Sequence, residues 1–105
     1  MPVRPRVYVR RVLILRLVFN VLARAKLAAR GITTREIEEV VANGPRVRDN
    51  PYARVPGSIY AIGPTNSARF LTVVLQPDAA DPTRWHVMNG WDSDSRQIAD
   101  YQSKR

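Results

Sequence analysis

The clearest periodic pattern in the chain lies between Ala29 and Val41. Ile37, Val40 and Val41 recur at three- and four-residue spacing, which puts them on one face of a helix. Thr33 precedes Glu36 by three positions, the spacing of a capping box in which hydroxyl and carboxylate each satisfy the other residue's amide. Ile32 and Ile37 stand at the positions of a hydrophobic staple. Glu36, Glu38 and Glu39 fall in the first turns, where the helix dipole favours negative charge. Asn43-Gly44-Pro45 ends the pattern, and Gly31 closes the helix before it. That preceding helix is predicted over residues 17–30, from the stripe Val18, Leu22, Ala25 and Ala29.

Alternating patterns predict strands on either side. Residues 7–15 read as an opening strand after a basic, proline-containing arm at residues 1–6. Residues 46–57 are rich in proline and charge, with room for a short edge strand at residues 46–48. Residues 58–62 read as a strand, followed by a turn at residues 63–67. Residues 69–76 give the best strand pattern. Leu71, Val73 and Leu75 take one face and Phe70, Thr72 and Val74 the other, which suits a central position. A hairpin loop at residues 77–82 leads into a strand at residues 83–89, with Trp85 and Val87 on its inner face. Asp94 and Gln97 form a second capping-box pair ahead of a terminal helix at residues 95–105, docked through Ile98 and Tyr101. Grouped helices and grouped strands indicate an α+β fold: strand, two helices, a three- to four-stranded mostly antiparallel sheet, and a short C-terminal helix. The helices are expected on one face of that sheet. Residues 7–105 form a single domain.

Charge changes the picture more than composition does. The chain of 105 residues carries 17 basic against nine acidic residues, a formal net charge of +8. Fifteen of the basic residues are arginine and two, Lys26 and Lys104, are lysine. Arginine grips phosphate with a planar fork of donors, and a small basic domain suits nucleic acid or an acidic protein partner. There is no cysteine, and His86 is the lone histidine, which removes disulfides, thiol nucleophiles and multi-histidine metal sites. No P-loop, glycine fingerprint or serine–histidine–acid set is present. Asp78, Asp81, Asp92 and Asp94 read as turn and cap residues. The apolar run Val12–Leu15 is cut by Arg16, too short for a signal core or a membrane span. A cytoplasmic protein with no membrane partner, metal or cofactor is expected.

The order of short motifs resembles a known family. A helix ends near Arg30-Gly31-Ile32-Thr33, followed by Glu36, Glu38, Glu39 and Val40. Tyr60-Ala61-Ile62-Gly63 leads through a turn to Ala68-Arg69-Phe70-Leu71-Thr72-Val73-Val74. A last strand then runs into a helix bearing Arg96 and Tyr101. From Val7 onward this resembles the BrnT-type toxins, RelE-like ribonuclease components of bacterial type II toxin–antitoxin systems. The resemblance implies a RelE-like sheet with packed helices, metal-independent cleavage of RNA, and a partner antitoxin that also binds DNA. It matches Arg69 to the arginine opening the central strand, and Arg96 and Tyr101 to the basic and tyrosine positions of the terminal helix. Trp91 stands where the family carries an arginine, Gln97 where it carries a glutamate, and Arg30 where a histidine is common.

Cleavage of RNA by its own 2′-hydroxyl needs a base, an acid, and cations on the phosphoryl oxygens. Arg69, His86 and Arg96 are the catalytic candidates. Arg84, Trp91, Tyr101 and Lys104 are the RNA-binding candidates. Guanidinium groups can hold phosphate in bidentate fashion, histidine titrates near neutrality, and exposed aromatic rings stack on bases. The expectation is that Arg69, Arg84 and Arg96 meet on one concave wall. Each residue also has a plainer reading: Arg69 as a strand-end cap, Arg84 as a solvated strand residue, His86 as a satisfied histidine, Tyr101 as packing. A non-catalytic binding module with the same fold therefore stays open, as does a protein that self-associates through a sheet edge.

Overall fold

Asn20 decides where the first helix starts. In the computed structural model, which describes residues 12–103, its side chain accepts from the Ala23 amide at 2.7 Å. That N-cap ends strand β1, Arg16–Phe19, and opens helix α1, Val21–Ala29. Residues 17–19, expected in the helix, form this strand instead. Of the strand expected at residues 7–15, residues 12–15 carry no regular structure, and residues 7–11 lie, with the rest of 1–11 and residues 104–105 (Lys104 among them), outside the described residues. The stripe assigned to α1 was also out of phase. Ala23 and Leu27 are buried, whereas Val21 and Leu22 face solvent.

The second helix matches its pattern. α2, Thr34–Ala42, carries the Thr33–Glu36 capping box, with both partners of the staple, Ile32 and Ile37, in the core. Gly31 and Gly44 take φ values of +68° and +72°, the left-handed region in which a side chain is strained. Four further strands follow: β2, Arg46–Asp49; β3, Ile59–Pro64; β4, Phe70–Pro77; and β5, Arg84–Asp92. Helix α3, Ser95–Gln102, closes the described chain behind an Asp94–Gln97 capping box.

The fold is α+β, and among the described residues the sheet has five strands, not three or four, in the order β1-β5-β4-β3-β2. β1 runs parallel to β5 and all other pairs are antiparallel. β4 is central, as its two patterned faces require. β1, placed by the Asn20 cap, falls where a helix was expected, and β2 is the short edge strand expected at residues 46–48, one residue longer.

The two sheet faces are covered differently. Leu71, Val73, Leu75, Trp85 and Val87 pack against Leu27, Ile37 and Val40 of α1 and α2. Gly90 belongs to this face, and a β-carbon there would meet Leu27 Cδ2 at 3.0 Å and Ile37 Cδ1 at 3.5 Å. α3 lies on the opposite face, contrary to the expectation of helices on one side. Tyr101 packs edge-on to Phe70 with centroids 5.5 Å apart. Asp100 accepts from Arg46 and Arg48, which alternate with the inward Val47. Ile62 is buried yet outside the helix-side cluster, as expected of a residue covered by α3.

The Gly90 contact gives a direct test of this packing. Gly90→Ala should destabilise the fold by about 1–2 kcal/mol, the usual cost of one excess carbon in a filled core, read by urea denaturation.

Candidate functional site

Arg69 is the most fully bonded of the predicted site residues. It sits immediately before β4 and turns toward the α1–α2 junction. Its Nε donates to Asp92 Oδ1 at 2.7 Å and one terminal nitrogen to Asp92 Oδ2 at 3.1 Å. The other terminal nitrogen donates to the Gly31 carbonyl at 3.0 Å and to the Glu36 carboxylate at 3.2 Å. The remaining donor reaches the Arg30 carbonyl at 3.4 Å. A guanidinium has five N–H donors, and here each has an acceptor within the protein. The same bonds hold Asp92 below the usual carboxylate range. Glu36 is also lowered, first by the Thr33 amide and then by Arg69. Arg69 therefore ties the α1–α2 turn, the start of α2 and the end of β5 into one corner. It is a structural clamp with no donor left to offer a phosphate.

Arg84 and His86 lie at the other end of the sheet. Along β5, Arg84 and Asp92 are separated by eight residues, roughly 26 Å of extended chain. Trp85 and Val87 point into the core, so Arg84 and His86 belong to the α3 side. The loop before β5 positions two carboxylates beside them. Asp78 Oδ2 accepts from the Ala80 and Asp81 amides at 3.0 Å each. Asp81 Oδ1 accepts from the Thr83 amide and hydroxyl at 2.8 and 2.6 Å. With its first oxygen anchored, Asp78 presents Oδ1 to His86 Nε2 at 2.7 Å. A carboxylate on Nε2 favours the tautomer with its proton there, so that in neutral imidazole Nδ1 is the acceptor. The His86 hydrogen bond, then the two amides and the Arg84 charge, hold the Asp78 carboxyl down at about 2.

Arg84 differs from Arg69 in kind. Its guanidinium approaches Asp78 and Asp81 at 3.8 and 3.9 Å, too far for hydrogen bonds, so its donors remain available.

Strand parity brings further predicted residues to this face. Trp91 pairs with Thr72 and lies on the α3 side, its ring perpendicular to that of Tyr60 with centroids 5.6 Å apart. Tyr101 is over the same face, packed on Phe70. Arg96 is exposed in the first turn of α3, which leaves β5 at the Asp92 end. The structure thus groups Arg84 with His86 and sets Trp91 farther along the same strand. It does not bring Arg69, Arg84 and Arg96 together. The expected convergence fails because Arg69 is drawn to the helix side by Glu36 and Asp92. Sequence reasoning missed Arg16, Tyr60 and Arg48 on this face. Each alternates with an inward residue, a signal visible for Arg48 only once β2 is recognised. Among the described residues no group of three or more histidines and acids could hold a metal ion. No helix there is long and apolar enough to cross a membrane.

Compared with protein-family models and with curated proteins, the chain has no match.

Two outcomes test this geometry. Arg69→Ala should cost on the order of 2 kcal/mol, with solvent screening at a guanidinium 28% exposed already allowed for. Arg69→Lys should recover little of it, since an ammonium cannot reproduce the five-donor fork; thermal denaturation would read both. Asp78 ionises below its ordinary range. The stability it contributes is complete above about pH 4 and is lost as pH falls through about 2. Asp78→Asn should flatten the stability–pH curve in that window, and carboxyl-carbon NMR should give Asp78 a midpoint near 2.

Proposed function

We propose that the chain is an RNA-binding protein of the RelE-like toxin type, taking single-stranded RNA across the α3 side of its sheet. The observation that supports this is the common face shared by Arg84, His86 and Trp91. Arg84 supplies unspent donors for phosphate. The Trp91 and Tyr60 rings supply apolar surface for bases, and Arg48 adds charge at the β2 edge. A net charge of +8 favours association with a polyanion. The motif order that resembles BrnT-type toxins adds a protein antitoxin as the natural partner.

Cleavage, in this reading, falls to the Asp78–His86 pair and Arg84. His86 Nδ1 accepts the 2′-hydroxyl proton while Asp78 holds the ring, the orienting role a carboxylate plays toward histidine in acyl-transfer sites; the 2′-oxygen then displaces the 5′-oxygen at phosphorus, leaving a 2′,3′-cyclic phosphate, and the departing 5′-oxygen takes its proton from water. Arg84 stabilises charge on the phosphoryl oxygens. Neither Arg69 nor Arg96 has a part in it.

One observation favours a second reading, a non-catalytic binding module on the same fold. Arg69 is fully engaged inside the protein, and Arg96 opens a helix that leaves β5 six residues beyond His86, roughly 20 Å along the strand. The cation set that the resemblance implied is thus divided.

A single assay separates the two. Excess protein is incubated with a long RNA in EDTA at low salt. Shortened RNA that stays intact with His86→Ala supports the enzyme. Intact but retarded RNA, with binding that weakens steeply in salt, supports the module. RNA that is neither cut nor retarded defeats both.

A further inference from the structure

Arg16 and Arg84 are partners in the parallel β1–β5 register. Neighbouring strands lie about 4.8 Å apart, and both side chains belong to the α3 side, since Leu17 and Trp85 point into the core. Like charges set opposite each other across a sheet repel. The structure nevertheless holds this pair tightly. The Leu15 and Arg16 amides both donate to the Thr83 carbonyl, at 2.9 and 3.1 Å, which pins the start of β1 to the start of β5.

Only part of the repulsion is relieved within the protein. Asp81 is held below the usual carboxylate range, first by the Thr83 hydroxyl and amide and then by the charges of Arg84 and Arg16. Its Oδ1 is already taken by Thr83, and its Oδ2 stands 3.9 Å from Arg84. Asp78 likewise spends its oxygens on His86 and two amides. Neither arginine guanidinium donates a hydrogen bond to an acceptor among the described residues. The contrast with the other paired arginines is sharp: Arg46, Arg48 and Arg69 donate to acceptors inside the protein. Two positions along the same face is His86, with Nδ1 unbonded.

We propose that Arg16 and Arg84 form a binding site for a single phosphate group, a two-guanidinium clamp across the β1–β5 seam beside His86. A tetrahedral oxyanion between the two guanidiniums accepts from both forks, whose donors Asp78 and Asp81 leave open. In RNA the occupant is one backbone phosphodiester, which this site would fix at the His86 end of the face. This assignment rests on the RNA reading for its natural ligand, but the anion site itself stands on the geometry alone.

The test has two arms on the full chain. In the first, inorganic phosphate is titrated while the arginine Nε–Hε signals are followed by NMR. Saturable shifts at Arg16 and Arg84, absent at Arg35 on the far side of the sheet, are expected; no shift at either, or equal shifts at all three, overturns the site. In the second, binding of a fluorescent single-stranded RNA is measured against salt for the wild type, Arg16→Gln, Arg84→Gln and the control Arg35→Gln, each checked for a native spectrum. The log–log slope should become shallower by up to about 0.7 for either of the first two, since both hold the same phosphate, with several-fold weaker binding at low salt, and should not change for the control. Equal losses in all three variants would mean a general charge effect and overturn the site while leaving RNA binding intact. Phosphate shifts without any RNA binding by the wild type would sink the RNA reading and keep the anion site.

Discussion

Arg69 joins segments that local folding cannot join. Its partners are Arg30, Gly31, Glu36 and Asp92, so one side chain ties the helical hairpin to the exit of the last strand. The two carbonyls it donates to belong to the C-cap of α1 and the residue after it, groups a helix end leaves unsatisfied. Glu36 is already committed to the Thr33 cap, and the Arg69 charge strengthens that arrangement. The helix pair is thereby fastened over one end of the sheet. Leu27 and Ile37 are brought so close to β5 that a β-carbon at position 90 would press on Leu27 Cδ2 at 3.0 Å. Arg30 seals the same corner by donating to the Gly90 carbonyl at 2.8 Å, beyond the stretch of β5 that pairs with β1.

Because both long helices are committed to one face, the other face depends on α3 alone. Eight residues with no fully buried side chain cannot cover five strands. α3 is held instead at one side, by Tyr101 on Phe70 and by Arg46 and Arg48 on Asp100. Thr72 is buried there through its bond to the Ser93 hydroxyl at 2.9 Å. Toward β1 the face carries Arg16, Val18, Arg84, His86 and Gln76, all at least partly exposed among the described residues. α3 does not extend over them because it carries so few apolar residues.

Local signals were readable where partners are close in sequence. The two capping boxes, the left-handed glycines at positions 31 and 44, the centrality of β4 and the burial of Trp85 all follow from spacing within a few residues. β1 was misplaced because Leu17, Val18 and Phe19 fit a strand and a helical stripe equally well. The deciding residue, Asn20, is a common N-cap type and was present to be weighed. The side of the sheet taken by α3 has no local signature, since one apolar pair can dock on either face; Asp100 and its arginines, 52 and 54 residues away, decide it. Arg69 was singled out as a strand-opening arginine, yet only its distant carboxylates reveal that it is a clamp. No pattern within β1 announces Arg16, whose neighbour is 68 residues ahead in the parallel register.

The arginines therefore divide by what lies opposite them. Where the chain supplies a carboxylate with free oxygens, as at Asp92 and Asp100, the guanidinium is consumed in holding the fold. Where the carboxylate is already occupied by its own turn, as at Asp78 and Asp81, it serves to aim a neighbour and leaves the guanidinium donors open. The turn 78–83 uses both carboxylates to satisfy its amides, so they meet Arg84 as charges at 3.8 and 3.9 Å without taking its hydrogen bonds. Building the hairpin from two aspartates thus fixes where guanidinium donors remain unspent: at the mouth of β5, beside the one histidine, on the side of the sheet opposite α1 and α2.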